Sequence, residues 1–139
     1  NDAYGHQEGD RLLQEAAQAV QSVVRENDVV GRYGGEEFAV LLRGVALEAG
    51  LRVAERLAES IRTINCCATE EWRVHGPNSS GTTATHLTAS IGISESLTHD
   101  ADSVLRLIRN ADIALYAAKN AGRDRIVVYH RDLSMASGR

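Results

Sequence analysis

Only two cysteines occur in 139 residues, and Cys66 and Cys67 are neighbours. With no distant partner, no long-loop disulfide is available, and adjacent thiols lack metal-ligand spacing. A reducing, cytoplasmic setting is therefore expected. The five histidines (His6, His75, His86, His99, His130) are scattered with no HxxxH pair, which argues against zinc. No apolar run approaches the ~18 residues of a membrane span, and no signal-peptide pattern stands at the start. No membrane contact is expected from this stretch, although a parent protein can be anchored elsewhere. Basic charge is not in excess: 15 Lys and Arg against 19 Asp and Glu give −4. DNA or RNA polymers need a basic face and are not expected partners. A small nucleotide stays possible, because a divalent ion and a few local cations can carry phosphates. The chain opens on Asn1-Asp2 and not on Met, within what reads as a motif, so it is expected to be part of a longer protein. No repeat or linker interrupts it.

What is present fits one globular domain: 43% hydrophobic and 24% charged residues in a length that can bury a core. Asp10 reads as an N-cap, followed at helical spacing by Leu12, Leu13, Ala16, Ala17, Val20, Val23 and Val24. That helix is expected to end near Arg25-Glu26-Asn27-Asp28. A second is expected over 46–64, with Leu47, Leu51, Ala54, Leu57, Ala58 and Ile61 on one side. Arg52 and Arg56 share a face of it, where pairs with Glu48, Glu55 and Glu59 are the plain expectation. A third helix is expected over 101–120, with Gly122 as its C′ residue. Leu87–Ser94 and Arg125–Tyr129 read as strands. Residues 65–86 show no clear period, with a hairpin expected around His75–Ser80, and the segment after His130 reads as a polar, frayed tail.

The centre of the sequence is Arg32-Tyr33-Gly34-Gly35-Glu36-Glu37-Phe38. Val29-Val30 precedes it and Phe38–Leu42 follows, so it reads as a β-hairpin with a Gly-Gly turn. Two glycines permit positive φ and leave no side chain over the turn, so an anion can approach the backbone. Glu36 and Glu37, placed at a strand start, are expected on opposite faces. On the local pattern alone, a solvated hairpin tip is the plainer reading.

The heptapeptide resembles the GGDEF motif of diguanylate cyclases in its GGEEF form. Three further blocks resemble the same family in order and spacing. Asn1–Asp10 is similar to its NDxxGHxxGD segment. Arg25 and Asp28, with Arg25 nine residues before Gly34, are similar to its RxxD inhibitory site. Ala111–Lys119 followed by Gly122-Arg123-Asp124 is similar to its ADxALYxAK…GRN run. The resemblance implies an α+β fold: a mainly antiparallel central sheet flanked by helices, like the palm of nucleotidyl cyclases, over residues 1–130. A DxDxFK strand precedes NDxxGHxxGD in the family, so the first strand is expected to be missing here.

The resemblance also implies roles. Asn1 and Asp10 hold the guanine of GTP. Gly34 and Gly35 admit the phosphates, and Lys119 and Arg123 hold the triphosphate. Glu36 is the metal ligand and candidate general base, with Glu37 supporting it and Mg²⁺ or Mn²⁺ as cofactor. Arg25 and Asp28 bind the product, cyclic di-GMP, and Arg56 then Arg52 form a secondary product surface. The reaction implied is condensation of two GTP across two facing domains of a homodimer. The family's other metal carboxylate lies in DxDxFK, so this stretch alone is expected to bind product without turnover. Two other classes stay open: a cyclic di-GMP receptor, and a dimerising scaffold. The structural explanations of single residues remain beside these: dipole complementation for Lys119, Arg123 and Arg25, and capping for Asp10.

Overall fold

The computed structural model describes residues 6–66, 85–96 and 103–136. The hairpin expected around His75–Ser80, and Asn1, lie outside the described residues. The elements run α1 (His6–Val23), β1 (Val29–Arg32), β2 (Phe38–Leu41), α2 (Leu47–Arg62), β3 (Asn65–Cys66), β4 (Thr85–His86), β5 (Ile91–Ile93), α3 (Val104–Asn120), β6 (Ile126–Val128) and α4 (Arg131–Ala136). Helix and sheet are mixed, as α+β requires. Among the described residues the strands form three two-stranded ladders and not one sheet: β1–β2 and β3–β4 antiparallel, β5–β6 parallel. The last pair is parallel because α3 carries the chain back over the sheet between its two strands, as a crossover must.

The three helices arise from the expected periodicities, with shifted ends. α1 starts a turn early, so Asp10 is an exposed residue inside the helix and not its N-cap. Charge pairing along the first turns accounts for this: Arg11 donates to Glu8 at 2.8 and 2.6 Å, and also to Glu15. The same guanidinium donates to the Asn65 carbonyl at 2.8 Å, fastening α1 to β3. α2 begins at Leu47 with no capping side chain on Ala46. Glu95 supplies the missing acceptor from a distance, taking the Leu47 N–H at 2.9 Å; a carboxylate there also suits the helix dipole. Ser103 caps α3 through the Arg106 N–H. The segment after His130, expected to fray, instead forms the short helix α4, its first turn closed by the Leu133 N–H on the His130 carbonyl at 3.0 Å.

The core is built mostly from small side chains: Ala16 and Val20 of α1, Ala54, Leu57, Ala58 and Ile61 of α2, Ala114 and Ala118 of α3, with Ile64 and Tyr129. Small residues let backbones approach, and the closest approach falls where α3 crosses β5. A Cβ on Gly92 would lie 2.2 Å from the Ala111 carbonyl oxygen and 2.3 Å from the Leu115 nitrogen. Ser94 adds a hydroxyl bond to the Leu107 carbonyl at 2.7 Å. α3 is thereby fixed on the β5–β6 ladder, and its C-terminal end is held in place. Among the described residues, no helix is long and apolar enough to cross a membrane.

Candidate functional site

The hairpin connection is longer than a two-residue turn. Arg32 pairs with Phe38, leaving Tyr33–Glu37 as a five-residue loop. The Tyr33 and Gly34 N–H groups both donate to the Glu37 carbonyl, at 2.8 and 3.2 Å, and close it. Arg32 reaches over the tip: its Nε donates to the Gly34 and Gly35 carbonyls, each at 3.2 Å, and a terminal nitrogen also donates to Gly35. Neither glycine adopts a left-handed φ, so the expected reason for them is corrected. Their use is space. A Cβ on Gly34 would stand 3.3 Å from Glu37 Oε2, whereas one on Gly35 would meet nothing within 4 Å. Gly34 makes room for the Glu37 carboxylate, and Gly35 leaves the outer side of the loop bare.

Glu36 and Glu37 sit in this loop and not on a strand, so the expected alternation does not apply. They part for another reason. Glu37 turns to Lys119, whose Nζ donates to its Oε1 at 2.6 Å, with both side chains 36% exposed. Glu36 is exposed and has no hydrogen-bond or ion-pair partner among the described residues. The pair brings the C-terminal end of α3 against the acidic loop, across 82 residues of sequence. An exposed ion pair of this kind contributes ~0.2–1 kcal/mol, so it positions the two side chains more than it stabilises the fold.

Arg123 follows α3 in a tight turn. Gly122, the expected C′ residue, has φ +106°, and Arg123 and Asp124 take φ of 59° and 45°. The Arg123 N–H donates to the Ala118 carbonyl at 3.1 Å, beyond the Ala121 to Ala117 bond at 2.9 Å. These bonds satisfy carbonyls that a helix end leaves bare. The Arg123 guanidinium has no partner among the described residues. Lys119 and Arg123 are thus carried on one helix end. No hydrogen bond or ion pair joins Asp10 to this region among the described residues.

Arg25 and Asp28 lie at the other end of the same hairpin. Asp28 accepts the Arg25 N–H on Oδ2 at 2.9 Å and the Arg43 N–H on Oδ1 at 3.1 Å. Its carboxylate thereby ties the turn before β1 to the turn after β2. Four strand residues separate this end from the loop, about 14 Å at ~3.4 Å per residue. The Arg25 guanidinium is exposed and unpartnered among the described residues. Arg52 and Arg56 are exposed on α2, and the expected pairs with Glu48, Glu55 or Glu59 do not form.

The backbone N–H of Arg25, then that of Arg43, hold the Asp28 carboxyl below its ordinary pKa. A depressed folded-state pKa means stability present above the unfolded value of ~3.9 and lost as pH falls through the folded value. Asp28→Asn is therefore expected to flatten the fall in melting temperature below about pH 4. A melting series from pH 6 downward checks this; parallel curves for the two proteins would remove Asp28 from the acid response.

The position of Arg32 over the loop was not foreseen as structural; its only signal was its place before Tyr-Gly-Gly. One basic side chain at a helix end, Lys119, meets an acidic hairpin loop within an α+β domain of the palm-like nucleotidyl cyclase fold class. The model of the diguanylate cyclase GGDEF domain matches residues 1–125, and the chain belongs to that family, which serves cyclic di-GMP signalling. It is similar to diguanylate cyclase A of Treponema denticola, 36% identical over 136 residues, covering 98% of this chain and 33% of that protein. Among solved structures it is similar to diguanylate cyclase SiaD of Pseudomonas aeruginosa in complex with its activator SiaC. There the identity is 38% and the TM-score 0.74, over 92% of this chain and 44% of that one. It is also similar to the GGDEF domain of DgcB from Caulobacter crescentus in complex with c-di-GMP, with TM-score 0.74, 27% identity, and coverage of 92% and 68%. The chain spans between 19% and 34% of the length of the first curated relatives it matches.

Proposed function

We propose that this chain is the GGDEF domain of a diguanylate cyclase, condensing two GTP into cyclic di-GMP with release of two pyrophosphates. The observation that carries the reading is the Glu37–Lys119 contact, which gathers the acidic loop and the basic helix end at one place. Lys119 and Arg123 hold the triphosphate, and the bare side of Gly35 admits it. Asn1 and Asp10 receive the guanine through complementary amide and carboxylate groups. In each half-reaction the 3′-hydroxyl of one GTP attacks the α-phosphate of the other; the P–O bond to pyrophosphate breaks as the new ester forms. Glu36 accepts the hydroxyl proton, which its lack of internal partners leaves it free to do. Each domain binds one GTP, so two copies face each other.

The donor chemistry fits a divalent ion. Glu36 is an unpartnered hard-oxygen donor, as Mg²⁺ or Mn²⁺ prefers, and Mg²⁺ takes one or two carboxylates with phosphates and water. Among the described residues Glu36 would hold the ion, and no group of three or more His, Cys, Asp or Glu side chains gathers there. When bound, the ion supplies neutralisation of phosphate charge and a lowered hydroxyl pKa.

Cyclic di-GMP binds at the far end of the hairpin, where the Arg25 fork meets guanine O6 and N7 and Arg56 and Arg52 extend the surface. Asp28 fixes that turn through the Arg25 and Arg43 N–H groups, which favours a second reading as a receptor without turnover. One experiment bears on both. Titration with cyclic di-GMP is expected to show binding that Arg25→Ala weakens by roughly fivefold or more, on ~1–3 kcal/mol for such a contact. Undiminished binding by Arg25→Ala would overturn the placement. A parallel GTP assay on the full-length protein separates cyclase from receptor.

A further inference from the structure

We propose that Arg62, at the end of α2, is a positioning residue for the triphosphate-binding Arg123, acting through its ion pair with Asp124. The inference rests on the reading of Arg123 given above and assigns a role to a residue outside the motifs. Arg62 donates to Asp124 Oδ1 at 2.6 Å, joining elements 62 residues apart. Asp124 is the second of two consecutive non-glycine residues with left-handed φ. Such residues are uncommon; Asp tolerates the region, but Arg has no preference for it. A turn of this kind persists only where its surroundings determine it.

Three restraints converge on Arg123. Its N–H is tied to Ala118, and its carbonyl accepts from Arg125 Nε at 3.0 Å. The following residue is held by Arg62. Gly122 assists, because a Cβ there would stand 3.3 Å from an Arg125 guanidinium nitrogen that folds back over the turn. What remains unrestrained is the Arg123 guanidinium itself. A free cation on a fixed backbone is preorganised for an anion, so less freedom is lost on binding. The Arg62–Asp124 pair is about half exposed, and pairs of that kind add little to global stability. Its larger consequence is where it points the turn.

The test is calorimetric titration of the protein with a non-hydrolysable GTP analogue and, as control, with GMP. Arg62→Met is expected to weaken the triphosphate analogue about threefold to fivefold, the equivalent of the upper range for exposed pairs, and to leave GMP unchanged. Arg62→Lys is expected to recover most of the loss, and Arg62→Met with Asp124→Asn to lose no more than Arg62→Met alone. Amide exchange at Arg123 is expected to quicken in Arg62→Met. Equal weakening of both nucleotides, with a lowered melting temperature, would mean that the pair only holds α2 to the turn. Arg123→Ala separates the two layers. If it weakens the triphosphate analogue while Arg62→Met does not, the positioning role fails and the reading of Arg123 stands. If Arg123→Ala has no effect, or no triphosphate binds, the reading of Arg123 fails and the positioning role with it.

Discussion

Replacing Glu36 with Gln in the full-length protein is expected to lower cyclic di-GMP synthesis by ~10²-fold or more, while the melting temperature hardly moves. The two halves of that expectation have separate grounds. On the proposed role of Glu36 the rate falls because an amide would neither accept the proton nor offer an anionic oxygen to a divalent ion, and loss of one such group costs about this much. Stability holds because Glu36 is exposed and unpartnered among the described residues; surface changes away from special contacts stay within about ±0.5 kcal/mol. Glu37→Gln differs in kind: it weakens the contact to Lys119 and so is expected to affect GTP affinity as well as rate. A Glu36→Gln protein that makes cyclic di-GMP at the parental rate would falsify the assignment.

The largest expected effect on folding belongs to Gly92→Ala. The added methyl would lie 2.2 Å from the Ala111 oxygen, 2.3 Å from the Leu115 nitrogen and 2.9 Å from the Leu115 Cα. All three are backbone atoms of α3, so no side-chain rotation relieves the clash. The helix must lift from β5, opening the packing around Ala114 and Ala118, both at 0% exposure. Overpacking of a core ordinarily costs ~1–3 kcal/mol, and a contact confined to backbone belongs at or above the top of that range. Lys119 rides on the same helix, so nucleotide affinity is expected to fall together with the urea midpoint. Gly35→Ala is the control: its methyl meets nothing within 4 Å, and its midpoint is expected to be unchanged. Equal midpoints for Gly92→Ala and the parent would show that α3 does not sit on β5 as described.

Local and long-range features of this domain divide along a physical line. Helical periodicity made α1, α2 and α3 legible, and Gly122 marked the end of α3, because these signals lie within a few residues of each other. The Gly-Gly-Glu-Glu stretch was legible as a hairpin connection and, by its resemblance, as the centre of the domain. Its details were not. The turn is a five-residue loop because Glu37 O takes two N–H groups and Arg32 spans the tip. α1 begins early because Glu8, Arg11 and Glu15 pair along it. Of the expected strand Leu87–Ser94 only Ile91–Ile93 forms β5, paired with β6, while Thr85 and His86 just before it form β4 against β3.

The three long helices, the family and the identity of the charged groups were therefore decided by residue order alone, since each depends on near neighbours. The meeting of Glu37 with Lys119, of Arg62 with Asp124, of Asp28 with Arg43 and of Gly92 with Leu115 was decided only when the elements docked. Those contacts depend on how α2 and α3 lie across the strands, and that placement is set by many small side chains together. No local pattern records it.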